Sequence, residues 1–322
     1  MSTNAAKGCA VLVHTCAQVK PHERITIVTD DVSKAIAEEM FAYASKEFED
    51  VTMVCMKTRS NHAVEPTAGV AAAMARADVI FSVTAFSLYS TQARMDACAA
   101  GARFVNMADY SMSMLEEGCL FIDFAELTKM VDDVSDRLVG DVCTLTSPAG
   151  TNFKCSVAGR NPLRGHGFIT KAGSAGSPPD FEAAIGPTDG TSEGVLVFDA
   201  SVPYPGVGIL KEPIVATVEK GFITKIEGGE QAKVLADALA AYNDKNVYLI
   251  AEIGCGLNTG AKISGRMLED EGVYGTIHIG IGDNLAFGGT NQVPSHIDAL
   301  MFKPTLTIDG RMIYKDGVIV EE

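Results

Sequence analysis

The first half of the chain repeats one pattern: a short run of β-branched and aliphatic residues, then a segment whose apolar side chains recur at helical spacing. Residues 24–29 read RITIVT and stop at Asp30 and Asp31, either of which is placed to cap a helix carrying Val32, Ile36, Met40 and Tyr43. The pattern returns as VTMVCM at 51–56, an Ala-rich helix around 69–77, DVIFSV at 78–83, a helix across 90–100 closed by Gly101, and ARFVNM at 102–107. Strands separated by helices need crossover connections, so an open parallel α/β sheet is expected here. A further helix is predicted from a cap at Asp123, with Phe124, Leu127, Val131, Val134 and Leu138 on one side and Gly140 as its stop. The domain border is therefore expected near residue 142. The turn after the first strand, TDDVSK, lacks the glycines of a dinucleotide site and carries two acids that would repel a pyrophosphate.

From Cys143 the periodicity changes to short β-type segments: CTLTSP, NFKCSV, GVLVFDASVP and PIVATVEKGFITKIEGG, punctuated by Gly, Pro and Asp-Gly as antiparallel hairpins require. One helix interrupts at about 230–243, where Ala232, Val234, Leu235, Leu239 and Tyr242 form an apolar face. The expected fold is α/β plus α+β: a Rossmann-like domain at 1–142 without the dinucleotide fingerprint, then a mixed, mostly antiparallel metal-site domain at 143–322. The stretch from Gly165 to Gly190 is rich in Gly, Pro and Ser and reads as one long loop.

Charge narrows the function classes. The 26 Lys and Arg face 41 Asp and Glu, a net charge of −15 that opposes binding to nucleic acid or anionic lipid. No stretch reaches the roughly 18 apolar residues of a membrane span, and a cytoplasmic location is expected. Eight cysteines show no C-x-x-C pair and read as reduced, mostly buried thiols.

The polar residues able to carry chemistry gather late. His296 and Asp298 stand at i and i+2, which in a strand places both on one face and lets an imidazole and a carboxylate reach one ion. His278 lies in a strand-like run, with Thr276 and Gly280 as same-face neighbours, and Glu252 is embedded in the apolar YLIAEIG. A charge in such a strand is costly unless paired or bound to a metal.

These segments resemble a known family. EIGCGLN, GTIHIGIGDN, then PSHIDAL and the closing KPTLTIDGRMIYKDGVI resemble the aminopeptidase T family of metallopeptidases, and PPDFEAAIGP followed by GVLVFDASVP is similar to its upstream segment. The resemblance covers most of residues 178–320. It implies a site of two divalent metals (zinc, cobalt or manganese) held by Glu182, Glu252, His278, His296 and Asp298. Glu182 and Glu252 are the expected catalytic carboxylates, the metals would activate a water, and a short peptide or small amide would be hydrolysed. A homodimer is implied as well. Two positions depart from that family, since Val273 and Leu285 stand where it has a ligand Glu and a Tyr. Glu269 or Glu271 is a candidate stand-in for the carboxylate, Tyr274 is the nearest phenol, and Asp283 is a candidate supporting residue.

The same domain is similar to that of the 2,5-dihydroxypyridine 5,6-dioxygenases, through EKGFITKIEGG, AEIGCGLN and the S-H-I-D ending. Their iron is held by two His and one Asp, with a His at the place of Glu252 and none at that of His278. By this resemblance, His278, His296 and Asp298 could assemble an iron(II) site for ring cleavage. The hydrolase is the primary expectation, the dioxygenase the alternative, and a silent metal-binding scaffold the third. His166 reads first as an ordinary loop histidine and Lys262 as a solvated surface lysine, with substrate contact the lesser reading for each, and the FGGTN turn at 287–291 is assigned no chemistry.

Overall fold

A computed structural model describes residues 4–321. The chain forms two compact units, one comprising the residues up to Phe124 with His166–Pro179, the other Ala125–Gly165 with Asp180 onward. The border expected at residue 142 is thus corrected. The helix Phe124–Leu138 falls almost wholly in the second unit, and the chain returns to the first unit once before leaving it.

The first unit is the expected parallel sheet, in the order Val51–Met56, Ile25–Asp30, Val79–Val83, Arg103–Asn106 and Ala175–Gly176. The three central strands are buried throughout, as parallel strands covered on both faces must be. Helices Lys34–Glu47, Ala68–Met74 and Gln92–Ala99 make the crossovers. Thr91 caps the last of them, its side chain accepting from the Arg94 N–H.

Asp30 and Asp31 do not cap the first crossover helix, whose N-cap position is Ser33. Asp30 instead ends its strand and ties two turns together, accepting from the Ser33 N–H and the Ala85 N–H at 2.8 Å each. Val32 consequently lies outside the helix and is 69% exposed. The segment at the N-terminus also forms an unpredicted element, a helix Ala5–Ala10 running into a π-helical turn Val11–Cys16. Its buried side is Ala5, Gly8, Cys9, Leu12, Val13 and Cys16. A Cβ at Gly8 would overlap the Leu115 backbone, so glycine sets that close approach.

The stretch 165–190 is not one loop. Ala175–Gly176 adds the fifth strand to the parallel sheet, pairing with Phe104 and Val105, and Glu182–Ile185 is a strand of the second unit. Its backbone donors and acceptors are met by sheet pairing, which the high Gly and Pro content concealed.

The second unit holds an eight-stranded sheet in the order Phe222–Glu227, Ile214–Glu219, Glu193–Phe198, Asn152–Ser156, Val142–Thr146, Thr305–Ile308, Arg311–Lys315 and Val318–Ile319, with neighbours antiparallel. Helix Phe124–Leu138 presents the predicted face, with Leu127, Val131, Val134 and Leu138 buried. Helix Glu230–Ala240 buries Ala232, Leu235 and Leu239. All eight cysteines are free, and Cys55 alone among them is exposed. Among the described residues no helix is long and apolar enough to cross a membrane. A second sheet of this unit carries the chemistry: His296–Phe302, Thr276–Gly282, Ile250–Gly256, Glu182–Ile185 and Leu163–Gly165, all antiparallel.

Candidate metal centre

Strand pairing explains why five residues spread over more than a hundred positions meet. Gly256 pairs with Glu182, Glu252 with Gly280, Gly254 with His278, Gly280 with Asp298 and Gly282 with His296. Because side chains alternate faces at period two, Glu182, Glu252, His278, His296 and Asp298 all project from one side of the sheet. The intervening Ile253, Ile277, Ile279, Ile281 and Ile297 fill the opposite side and are buried.

Glycine on the polar face makes the room. A Cβ at Gly254 would overlap the His278 imidazole, and one at Gly280 would stand 2.7 Å from His296 Nε2 and 2.8 Å from Glu252 Cβ. Gly165 likewise leaves space for Glu182, whose Cγ would lie 2.7 Å from an added Cβ. The motifs IGCG and HIGIG therefore encode a hollow lined by ligands, a signal present in the sequence as alternation of Ile with Gly.

Within the hollow, His278 Nε2 lies 3.1 Å from Glu182 Oε2 and 3.4 Å from Glu252 Oε1. His296 Nε2 lies 3.0 Å from Glu252 Oε2 and 3.3 Å from Asp298 Oδ1. The donor atoms form two overlapping sets, Glu182, Glu252 and His278, and Glu252, His296 and Asp298, each with its atoms within 4.8 Å of one another. Glu252 belongs to both. His278, His296 and Asp298 do not close as a set of their own; Glu252 takes the third place beside His296 and Asp298, because it faces that pair across the Gly280 gap.

The His296 tautomer follows from its contacts. Nδ1 lies 2.8 Å from the Asp283 carbonyl oxygen, which only accepts, so Nδ1 carries the proton and donates it. In the neutral ring Nε2 then presents a lone pair to the Glu252 and Asp298 carboxylates, an arrangement that a cation relieves. Glu182 Oε2 and Asp298 Oδ1 are buried and make no well-formed hydrogen bond, each facing an imidazole Nε2 at 3.1 and 3.3 Å, and His278 Nδ1 is buried without a partner. These orphaned buried atoms, converging on a glycine-floored hollow, fit a metal ion.

The electrostatics agree. Burial and the Glu252 charge push the Glu182 carboxyl up, and burial with the Glu182 charge pushes Asp180 well above the usual range. Burial opposes ionisation of Glu252 and Asp298 too, but the neighbouring imidazoles outweigh it and hold both below the usual value. The histidines are correspondingly driven well above theirs, against burial, by Glu182 and Glu252 at His278 and by Asp298 and Glu252 at His296. The cluster thus draws positive charge onto its two imidazoles.

Of the proposed stand-ins, Glu271 is the one beside the centre. Burial and the Asp298 charge raise its carboxyl strongly, and its hydrogen bond to Asp298 requires it to be the protonated partner. Glu269 is buried and accepts from the Lys262 N–H at 3.4 Å. Tyr274 lines a separate groove of about 600 Å³ beside helix Phe124–Leu138, with Met130, Val134, Arg137 and Ile319. Asp283 supports the site through its backbone carbonyl, while its carboxylate accepts from the Leu285 and Val293 N–H groups. Asp180 and the space-making role of the face glycines were missed by motif reading, Asp180 because it stands outside any strand pattern, although Gly280 was placed on the face of His278.

With this geometry in hand, comparison with known proteins decides the family. The family model for 2,5-dihydroxypyridine 5,6-dioxygenase matches residues 9–321. The chain belongs to this family. A curated 2,5-dihydroxypyridine 5,6-dioxygenase from Pseudomonas putida is 28% identical over 184 residues, 54% of this chain and 53% of that protein. The chain thus spans about half the length of the curated relative it matches. Among solved structures, 2,5-dihydroxypyridine dioxygenase from Pseudomonas putida KT2440 is similar at a TM-score of 0.82 and 20% identity, over 100% of this chain and 99% of that one. AmpT from Thermus thermophilus is similar at a TM-score of 0.71 and 14% identity, over 99% of each chain. Both likenesses concern the fold.

These findings correct the primary expectation. Hydrolase, aminopeptidase and metalloprotease are overturned by the dioxygenase family match and the dioxygenase relative. The segments that prompted them, glycine-alternating strands and a closing H-x-D, lie within a fold that this chain shares with both structural neighbours. Zinc, cobalt and manganese lose their particular support with that reading.

Proposed function

We propose that this member of the dioxygenase family uses one iron(II) ion, held by Glu252, His296 and Asp298, to open the ring of a dihydroxylated pyridine-like substrate with dioxygen. The observation that carries the reading is His296: its Nδ1–H is committed to the Asp283 carbonyl, and its Nε2 faces Glu252 and Asp298. One imidazole and two carboxylates form an anionic N,O donor set able to hold a divalent cation, and the dioxygenase family favours iron(II) for it. At 30% side-chain exposure His296 is the most open of the ligands, against 4% for Glu252 and 5% for Asp298, so substrate and oxygen have a side from which to approach.

An iron ion held by Glu252, His296 and Asp298 would supply the one-electron chemistry that a closed-shell ring and triplet oxygen need in order to react. The chain's own groups bind and move protons. Glu182, whose basicity burial and Glu252 enhance and which lies 3.1 Å from His278 Nε2, is assigned to take a substrate hydroxyl proton. Both oxygen atoms enter the opened product and the ring supplies the electrons, so no separate reductant is required. Glu252 adds a negative charge to the centre, which favours binding of a cation there.

The test is elemental analysis of protein purified without oxygen and without a metal-binding tag, followed by oxygen uptake with 2,5-dihydroxypyridine and with dihydroxybenzenes. About one iron per chain and equimolar consumption of oxygen and substrate are expected. Iron-loaded protein that consumes no oxygen with any of these rings overturns the reading.

A further inference from the structure

The turn between the His278 and His296 strands, residues 284–291, is built with more care than a connection needs. Asn284 Oδ1 accepts from the Asn291 N–H at 2.8 Å, and Asn291 Nδ2 donates to the Gly282 carbonyl at 2.7 Å and the Asn246 carbonyl at 2.9 Å. Gly288 has φ +75°, and a Cβ at Gly289 would overlap the Asn284 amide. The turn is then clamped from outside. Arg160, whose side chain is 12% exposed, donates to the Gly288 carbonyl, to the Pro187 carbonyl at 3.1 Å and to Asp189 Oδ1 at 2.9 Å. Asp189 also accepts from Asn284 Nδ2 at 2.9 Å and Thr290 Oγ1 at 3.3 Å.

What the clamp holds is the outer side of a ligand. Phe287 lies against the His296 imidazole, ring centroids 5.8 Å apart and planes 21° apart. Gly186 leaves the space for it, since a Cβ there would stand 2.7 Å from Phe287 Cβ. At the start of the same turn, the Asp283 carbonyl takes the His296 Nδ1 proton. Ring plane and tautomer of His296 are therefore both set by groups on one turn, which is held by Arg160 and Asp189 from loops outside the strands.

We propose that Arg160 and Asp189 are positioning residues of the metal centre, acting through the 284–291 turn and Phe287 to present His296 Nε2 to the ion. This rests on the assignment of His296 as a ligand, and it is independent of which reaction the ion serves. Outer partners of a metal-bound imidazole typically govern affinity by about 10- to 100-fold.

The experiment is anaerobic titration of the full-length apoprotein with cobalt(II), read by visible absorbance, for wild type, Arg160→Met, Asp189→Ala and Phe287→Leu, with circular dichroism of each apoprotein. Folded Arg160→Met and Asp189→Ala are expected to bind roughly 10- to 100-fold more weakly and to show an altered cobalt band, which a purely structural role would leave unchanged. Phe287→Leu, which keeps the clamp and removes only the platform, is expected to lose several-fold in affinity. If Arg160→Met does not fold, Asp189→Ala and Phe287→Leu decide. Wild-type affinity and band in both of those overturn the proposal. A wild-type protein that binds no cobalt overturns the ligand assignment itself, and the proposal with it.

Discussion

The parallel sheet of the first unit and the sheet of the second that carries the candidate metal centre are both buried at their centres, yet they differ in how they satisfy the charged groups they bury. In the first, Asp30 meets two backbone N–H groups, and Asn106 donates to Ser177 Oγ at 3.1 Å. In the second, Glu182, His278 and Asp298 keep buried atoms without hydrogen-bond partners, and glycines clear space around them. Burial alone therefore does not mark a functional site. The marker is burial of charge that the chain leaves for something else to satisfy.

The largest effect that sharpens this contrast is expected on removing a ligand. His296→Ala or Asp298→Ala should lower metal content by about 100-fold or more with the fold retained, as followed by elemental analysis and circular dichroism. Metal content equal to wild type in both would sink the site assignment. Asp30→Ala, the matching change in the other sheet, should leave metal content unchanged and lower stability by about 1–3 kcal/mol in urea denaturation, because two buried N–H groups lose their acceptor.

Glycine offers a second pair. Gly254→Ala places a Cβ on the His278 imidazole and should reduce metal affinity by about tenfold or more in an equilibrium titration. Gly69→Ala, in helix Ala68–Met74 with no atom within 4 Å of the added Cβ, should be neutral or stabilising by up to about 1 kcal/mol in thermal unfolding.

The smallest effect is electrostatic and lies in the first unit. Arg24 grips Asp78 through Nε at 3.0 Å and Nη2 at 2.9 Å, and its guanidinium holds the Asp78 carboxyl down at about 2. A carboxyl lowered on folding contributes stability above its unfolded value near 3.9 and loses it as the pH falls through about 2. Asp78→Asn should therefore cost less than about 1 kcal/mol at neutral pH, the pair being well solvated, and the difference from wild type should close between roughly pH 4 and pH 2. A gap that persists unchanged at acid pH would show that the backbone contact, not the charge, matters at Asp78.

Much of this architecture was legible in order along the chain. Alternation of β-branched runs and helical segments announced the parallel sheet, and His296 with Asp298 at i, i+2 did share a strand face. What misled was local chemistry of ambiguous purpose. TDDVSK looked like a helix cap but is a turn tie, and the Gly- and Pro-rich 165–190 stretch contains strands of both units. Glu252 weighed toward a two-metal hydrolase because a carboxylate can serve either chemistry, and only the family match separated them.

The sequence by itself determined which residues alternate onto a common face, because side-chain direction in a strand depends only on the period of two. It also determined, through Gly254 and Gly280, where that face is hollow. Tertiary structure decided that Glu182, some 70 residues upstream of Glu252, joins the same hollow, and that Glu252 rather than His278 completes the His296 and Asp298 set. It decided, too, that the Asp283 carbonyl selects the His296 tautomer and that Arg160 braces the turn behind it. Those relations depend on strand order and on backbone atoms meeting across long separations, and no local pattern of residue types encodes either one.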